Sequence, residues 1–233
     1  MTMTKEALDL LFQQYDDEYI INEDGPNYIK NHYKEMEEYS VKPLKTHTLQ
    51  SVVNFVKGKE GHSIVIHIVT PTEIQVYSRL NEYKRDNYMS ATAFTNNVEF
   101  GRYMDLESFN LMIQTNFTDT EDKAKVLAYV GNIKDEKVNT YSDDGVSQSV
   151  TVKKGVATVG EAILPNPVSL APYRTFPEIE QPMSKFIFRM KDGPVALLEE
   201  ADGNLWKIEA IENIRKFLIN ELDHELENIQ IYG

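Results

Sequence analysis

Two hydrophobic rhythms run along this chain, a helical one of three to four residues and an alternating one of two. In "TKEALDLLFQQY", Ala7, Leu8, Leu10, Leu11 and Tyr15 make a short helical stripe. The polar, tyrosine-rich stretch to residue 40, broken at Gly25-Pro26, predicts a loop and then a weak helix. Leu49, Val52, Val53 and Val56 recur at i, i+3, i+4 and i+7, which predicts an amphipathic helix. Thr46 or Thr48 can cap its start and Gly58 can end it. "HSIVIHIV" is apolar on both faces and predicts a central strand buried on both sides. "PTEIQVYSRL" alternates, with Ile74, Val76 and Leu80 on one face, and the short connection favours an antiparallel hairpin. "DNYMSATAF" supplies a third strand.

Two helices follow. The first has Asp105 as N-cap and buries Leu106, Phe109, Ile113 and Phe117. The second starts at Asp119 or Thr120 and stops at Gly131. A hairpin is expected over 135–153. The stretch 160–182 then carries five prolines in 23 residues, which confines it to edge strand or extended loop because proline removes a ladder donor. "SKFIFRMKDGPVALLEEADGNLW" predicts another hairpin, with Phe186, Phe188 and Met190 on one face and a turn at Asp192-Gly193. A last helix carries Ile211, Ile214, Leu218 and Leu222. The fold class expected from this order is α+β, an antiparallel or mixed sheet with amphipathic helices packed on it. The expected organisation is an acidic N-terminal arm over 1–40 and one α+β domain over 41–233.

Charge changes this picture at the two ends. The net charge is −13. Residues 1–40 hold ten acids against Lys5, Lys30 and Lys34, and residues 199–233 hold nine against Lys207, Arg215 and Lys216. The middle is neutral. Nucleic acid and anionic membrane are therefore disfavoured as partners, since both require a positive footprint. No apolar run reaches the roughly 20 residues of a membrane span, and the N-terminus lacks the apolar run of a signal sequence. The chain has no cysteine, which removes disulfides and thiolate chemistry and fits a reducing compartment.

Familiar catalytic patterns are missing: no phosphate-binding glycine loop, no dinucleotide fingerprint and no nucleophile elbow. His62 and His67 stand five apart around a strand, facing opposite sides, so they cannot chelate one metal. His67 is expected to be a hydrogen-bonded structural residue. Two stretches invite a functional reading. In "YSDDGVSQSVTVKKG", Asp144-Gly145 is a type I′ turn signal, and backbone geometry alone accounts for it. Beyond it Gln148 interrupts an apolar row of Val146, Val150 and Val152. Gln148 and Ser147 could present polar groups beside the acidic pair Asp143 and Asp144. In "PYRTFPEIEQP", Tyr173, Arg174 and Phe176 place an arginine between two aromatics on a proline-stiffened loop, a composition enriched at interfaces, or equally one that packs on a sheet. Lys185, Arg189 and Lys191 share one strand face, either solvated or holding an anion.

Taken together, "LQSVVNFVKG", "IVIHIVTPTEIQVYSRL", "YSDDGVSQSVTVKKGVA", "LPNPVSLAPYRTFPEIEQPMSKFIFRMKDGP" and "EADGNLWK" resemble a family of phage and prophage proteins. It is a domain-of-unknown-function family related to the YfdQ-like proteins of bacterial prophages. The resemblance spans roughly residues 40–225. It implies a phage early-region protein acting in the bacterial cytoplasm, and it brings no catalytic residue and no cofactor with it. The expected function is a non-enzymatic phage accessory protein that forms a homo-oligomer and binds a host or phage protein. One alternative is a counter-defence protein that captures a small anionic ligand such as a signalling nucleotide through Arg174, Arg189, Lys191, Ser147 and Gln148. Another is a carboxylate-metal hydrolase built on Asp143 and Asp144.

Overall fold

A computed structural model describes residues 4–15, 19–20, 28–29, 34–35, 42–59, 61–80, 84–131, 141–143, 148–150, 153–154, 157–158, 162–163, 166–191 and 195–233. The chain divides into two compact units, Met1–Val41 and Lys42–Gly233.

The first unit contains helix α1 (Lys5–Tyr15) and three two-residue strands, β1 (Tyr19–Ile20), β2 (Tyr28–Ile29) and β3 (Lys34–Glu35), paired antiparallel in that order. The helix expected here is present, with Leu10 of its stripe exposed. In the stretch where a weak helix is expected before residue 40, the described residues Tyr28-Ile29 and Lys34-Glu35 pair as strands.

The second unit begins with β4 (Leu44–Thr46), α2 (Leu49–Lys57), β5 (Ile64–Thr70), β6 (Glu73–Ser78) and β7 (Asn87–Thr92). Next come β8 (Met104–Asp105), α3 (Leu106–Asn116) and α4 (Glu121–Gly131). Short strands β9 (Tyr141–Asp143), β10 (Gln148–Val150), β11 (Lys153–Lys154), β12 (Ala157–Thr158) and β13 (Ala162–Ile163) follow. The chain ends with β14 (Val168–Leu170), β15 (Ser184–Lys191), β16 (Val195–Glu200), α5 (Leu205–Glu221), a 3-10 turn and β17 (Ile229–Tyr232).

Two larger sheets organise this unit, and the fold is α+β. The mixed sheet runs β17-β5-β6-β7-β4, with β17 parallel to β5 and β4 parallel to β7. The antiparallel sheet runs β14-β15-β16-β8. Helices α2 and α5 cover one face of the mixed sheet, and their Leu49, Val52, Val53, Val56, Ile214 and Leu218 close on Ile64, Ile66, Ile68, Ile74 and Val76. Helices α3 and α4 do the same for the antiparallel sheet, where Phe109, Ile113 and Val126 meet Phe186, Phe188 and Met190. Each such side chain contributes roughly 1.5–3 kcal/mol by leaving water.

Helix starts follow the local chemistry. Thr48 Oγ1 accepts from Ser51 N at 3.2 Å, so Thr48 rather than Thr46 caps α2. Thr120 Oγ1 accepts from Lys123 N at 3.1 Å at the head of α4. Asp105 accepts from both the backbone and the hydroxyl of Ser108 at 2.9 and 2.7 Å. Those bonds hold the Asp105 carboxyl below its ordinary value of 3.8. A carboxyl whose folded value is depressed stabilises the fold above its unfolded value and loses that contribution as pH falls through the folded one. The Asp105→Asn variant should therefore show a shallower loss of thermal stability between about pH 5 and about pH 2. An acid melt of the same steepness as the parent would remove the assigned role.

Three expectations need correction. Strand β5 is buried on both faces only at its start: Ile64, Ile66 and Ile68 are buried on one face and Val65 on the other, where His67 and Val69 are exposed. His67 is thus a solvent-facing residue opposite Gln75, not a core histidine. Leu80 lies beyond the end of β6 and is exposed. The strand β17 went unread in the sequence, since its alternating Ile229 and Ile231 follow directly on a long helical pattern.

Candidate functional site

Between β14 and β15 the chain leaves the antiparallel sheet, enters the core of the other sheet, and returns. The departure is fixed to the end of α3, where Thr118 N donates to Ala171 O and Tyr173 N to Asn116 O, each at 2.9 Å. Phe176 and Ile179 then bury themselves among the residues of the mixed-sheet core. Thr175 Oγ1 donates to Pro71 O on the turn between β5 and β6. Gln181, buried, holds the strap in shape. Its Oε1 accepts from Arg174 N and Thr175 N at 3.0 and 3.3 Å, and its Nε2 donates to Phe176 O and Ile179 O at 3.0 and 3.3 Å. Glu178 Oε1 accepts from Leu49 N at 2.8 Å and adds a second cap to α2, where the helix dipole favours a carboxylate. Asn213 of α5 donates to Glu180 O at 3.2 Å.

The strap carries Arg174 into a polar knot. Its Nη1 donates to Glu200 Oε1 and its Nη2 to Ser184 Oγ. Ser184 donates in turn to Asp202 Oδ2, which lies 4.0 Å from Nη2. The guanidinium carbon sits 3.8 Å from the centre of the Trp206 ring, a cation–π stack. Only 10% of the Arg174 side chain is exposed. Burial pushes the guanidinium down from its ordinary value, while Glu200, Asp202 and Glu209 oppose that. Arginine stays protonated under such conditions. The turn that delivers Trp206 is fixed by its sequence. Gly203 and Asn204 both have positive φ, 63° and 68°, and Asp202 Oδ1 accepts from Asn204 N at 3.0 Å.

The segments that build this knot also carry exposed apolar side chains. Tyr173, Met183 and Leu205 are chain neighbours of Arg174, Ser184 and Trp206, and Ile208 stands one helical turn beyond Leu205. They are 46%, 50%, 66% and 69% exposed. Among the described residues eleven large apolar side chains are exposed, these four among them.

The structure thus divides the aromatic-arginine group. Tyr173 is on the surface and Arg174 is in the knot. Phe176 is fully buried in the mixed-sheet core, which withdraws it from any interface. Arg174 also leaves the proposed anion-binding set, because its charge already faces two carboxylates. Arg189 and Lys191 lie on the face of β15 opposite Phe186, Phe188 and Met190, and Lys191 Nζ stands 4.1 Å from the centre of the Tyr103 ring.

The hairpin region is realised as β9 against β10, with β13 on the other side of β10. Its register pairs Asp143 with Gln148, and the expected Asp144-Gly145 turn lies outside the described residues. Asp144 and Ser147 lie outside the described residues, as do the side chains of Asp143 and Gln148.

A cavity of about 610 Å³ lies between α3 and the segment before it, lined by Asn97, Arg102, Tyr103, Asp105, Ser108 and Asn116. Its polar groups mostly bind one another: Asp105 with Ser108, Arg102 with Glu99, and Asn116 with Asn96. Among the described residues no three of His, Asp and Glu could hold a metal ion, and no helix is long and apolar enough to cross a membrane.

Sequence reading missed Ser184, Glu200, Asp202 and Trp206. The readable signal was the Leu205 and Ile208 pair, apolar at i and i+3 and off the buried stripe of Ala210, Ile214 and Leu218. Compared with protein-family models, with curated proteins and with solved structures, the chain matches none.

Proposed function

We propose that this chain is a non-enzymatic interaction module, a scaffold that presents exposed apolar side chains to another macromolecule. The observation that carries the reading is the exposure of Tyr173, Met183, Leu205 and Ile208 on the segments that build the Arg174–Trp206 stack. Tyrosine, tryptophan and arginine are the residues enriched where binding energy concentrates. The knot fixes their surroundings before any partner arrives, which lowers the entropy lost on binding. A place in a phage or prophage, acting in the bacterial cytoplasm as an accessory or counter-defence protein, rests on the family resemblance alone.

Self-association belongs to the same reading and has its own surface. The mixed sheet ends at β17, whose outer edge pairs with no strand among the described residues. An edge strand can add a second copy about a two-fold axis and continue the sheet. Sedimentation velocity of the full chain at tens of micromolar should show a dimer or larger species. A strict monomer at that concentration removes self-association from the reading.

A further inference from the structure

Resting on that self-association reading, we infer that two copies join through β17 in one register, antiparallel, with Gln230 of one copy opposite Gln230 of the other. The two larger sheets have four outer strands, and three of them carry features that deter pairing. In β14 the Ser169 amide already donates to Asp122 Oδ2 at 2.8 Å, and Pro167 and Pro172 stand on either side of the strand. Strand β8 has two residues and runs straight into α3. Strand β4 has three, preceded by Pro43, with Lys42 and Lys45 exposed. Strand β17 is the longest of the four and has neither proline nor charge: Ile229, Gln230, Ile231, Tyr232.

The core is unfinished at this edge. Ile229 and Ile231 stand beside Ile64 and Ile66 and face the same core, yet they are half-buried where their neighbours are buried. Ile211 of α5, also half-buried, reaches the end of the strand: a Cβ on Gly233 would lie 3.0 Å from its Cγ2. A further strand with apolar residues at alternate positions would cover these side chains, and β17 itself has that pattern. Opposed residues of an antiparallel pair point to the same face. An axis between two residues would set Gln230 opposite Ile231 and turn the partner's helices to the wrong face. An axis at Ile229 sets Ile231 against Glu227, and one at Ile231 sets Ile229 against Gly233. Only the axis at Gln230 pairs Ile229 with Ile231 twice over. Charge permits it. Helix α5 holds Lys207, Arg215 and Lys216 against Glu209, Glu212 and Glu221, so it is neutral. The acidic turn Asp223–Asn228 goes to opposite ends of the pair, with the two Glu227 about 20 Å apart, well past a Debye length. Gln230 Oε1 accepts from Tyr232 Oη at 3.2 Å, and its amide N–H groups are left for the partner's glutamine.

The chain has no cysteine, so a single introduced one can form a disulfide only between copies. Opposed residues of an antiparallel pair have Cα atoms about 4.5–5.5 Å apart, within disulfide reach. Full-length Gln230→Cys under mild oxidation should therefore run as a covalent dimer on a non-reducing gel. Ile231→Cys should stay largely monomeric, because its two copies would lie about 8 Å apart across the pair. Leu111→Cys, exposed on α3, measures linking by chance collision. Gln230→Lys sets two like charges directly opposite and should weaken the dimer about tenfold or more in sedimentation velocity. Gln230 is exposed, so circular dichroism melts of its variants should match the parent.

Stronger linking at Ile231→Cys than at Gln230→Cys, or no more at Gln230→Cys than at Leu111→Cys, overturns the inference, as does a dimer indifferent to Gln230→Lys. If the parent still sediments as a dimer in those cases, self-association stands on another surface. A parent that is a strict monomer removes self-association and this register together, and leaves the edge to an extended strand of a different protein.

Discussion

Phe176→Ala should lower the stability of the chain by about 3–5 kcal/mol, the cost of emptying a buried phenylalanine site. The side chain is fully buried in the mixed-sheet core, yet the segment that carries it begins and ends in the antiparallel sheet. The cavity cannot collapse easily, because Gln181 fixes the backbone on both sides of the residue and Thr175 ties it to Pro71. Urea unfolding should show a lower midpoint with an unchanged slope. Tyr173→Ala, three residues earlier and 46% exposed, should cost less than about 1 kcal/mol. Equal losses from the two substitutions would mean that Phe176 is not the anchor of the strap.

That contrast marks where the sequence was readable. Periodicity located α2, the β5–β6 hairpin, α3 and α5, because each buries a regular stripe, and the stripe is a local property of the chain. The five prolines of 160–182 correctly ruled out a central strand, and β14 is an edge strand. Composition could not say that Phe176 crosses to a different core from Phe186, since both are a phenylalanine in an apolar context. Nor could it say that Arg174 meets Glu200 and Asp202, which lie 26 and 28 positions further along. Pairings at such distances are decided by topology. Strand β17 shows the same limit in another form: Ile229 is apolar whether it continues a helix or starts a strand, and the neighbouring β5 decides.

Arg174→Ala should cost about 3 kcal/mol, near the lower end of what removing one partner of a buried ion pair costs. The lower end applies because Glu200 remains 28% exposed, so water reaches the carboxylate that the substitution abandons. Asp202 is the more enclosed of the two and also loses the charge facing it. Arg174→Lys should recover little of the loss. A lysine ammonium cannot serve Glu200 and Ser184 from a planar fork while lying flat on the Trp206 ring. Removing both ends separates pairing from packing. If the knot is held by its charges, Arg174→Ala combined with Glu200→Ala should lose less than the sum of the two, with a coupling of about 1–3 kcal/mol. Additive losses would mean that the arginine acts through its stack on Trp206 alone. The outcome also bears on the start of α5. Leu205 and Ile208 are positioned by the turn through Asp202, Gly203 and Asn204. Losing the arginine should therefore loosen the first turn of α5 and shift Trp206 emission toward that of a solvent-exposed indole. An unchanged emission spectrum would show that α5 keeps its start without the knot, and that the apolar side chains stand there by helix packing alone.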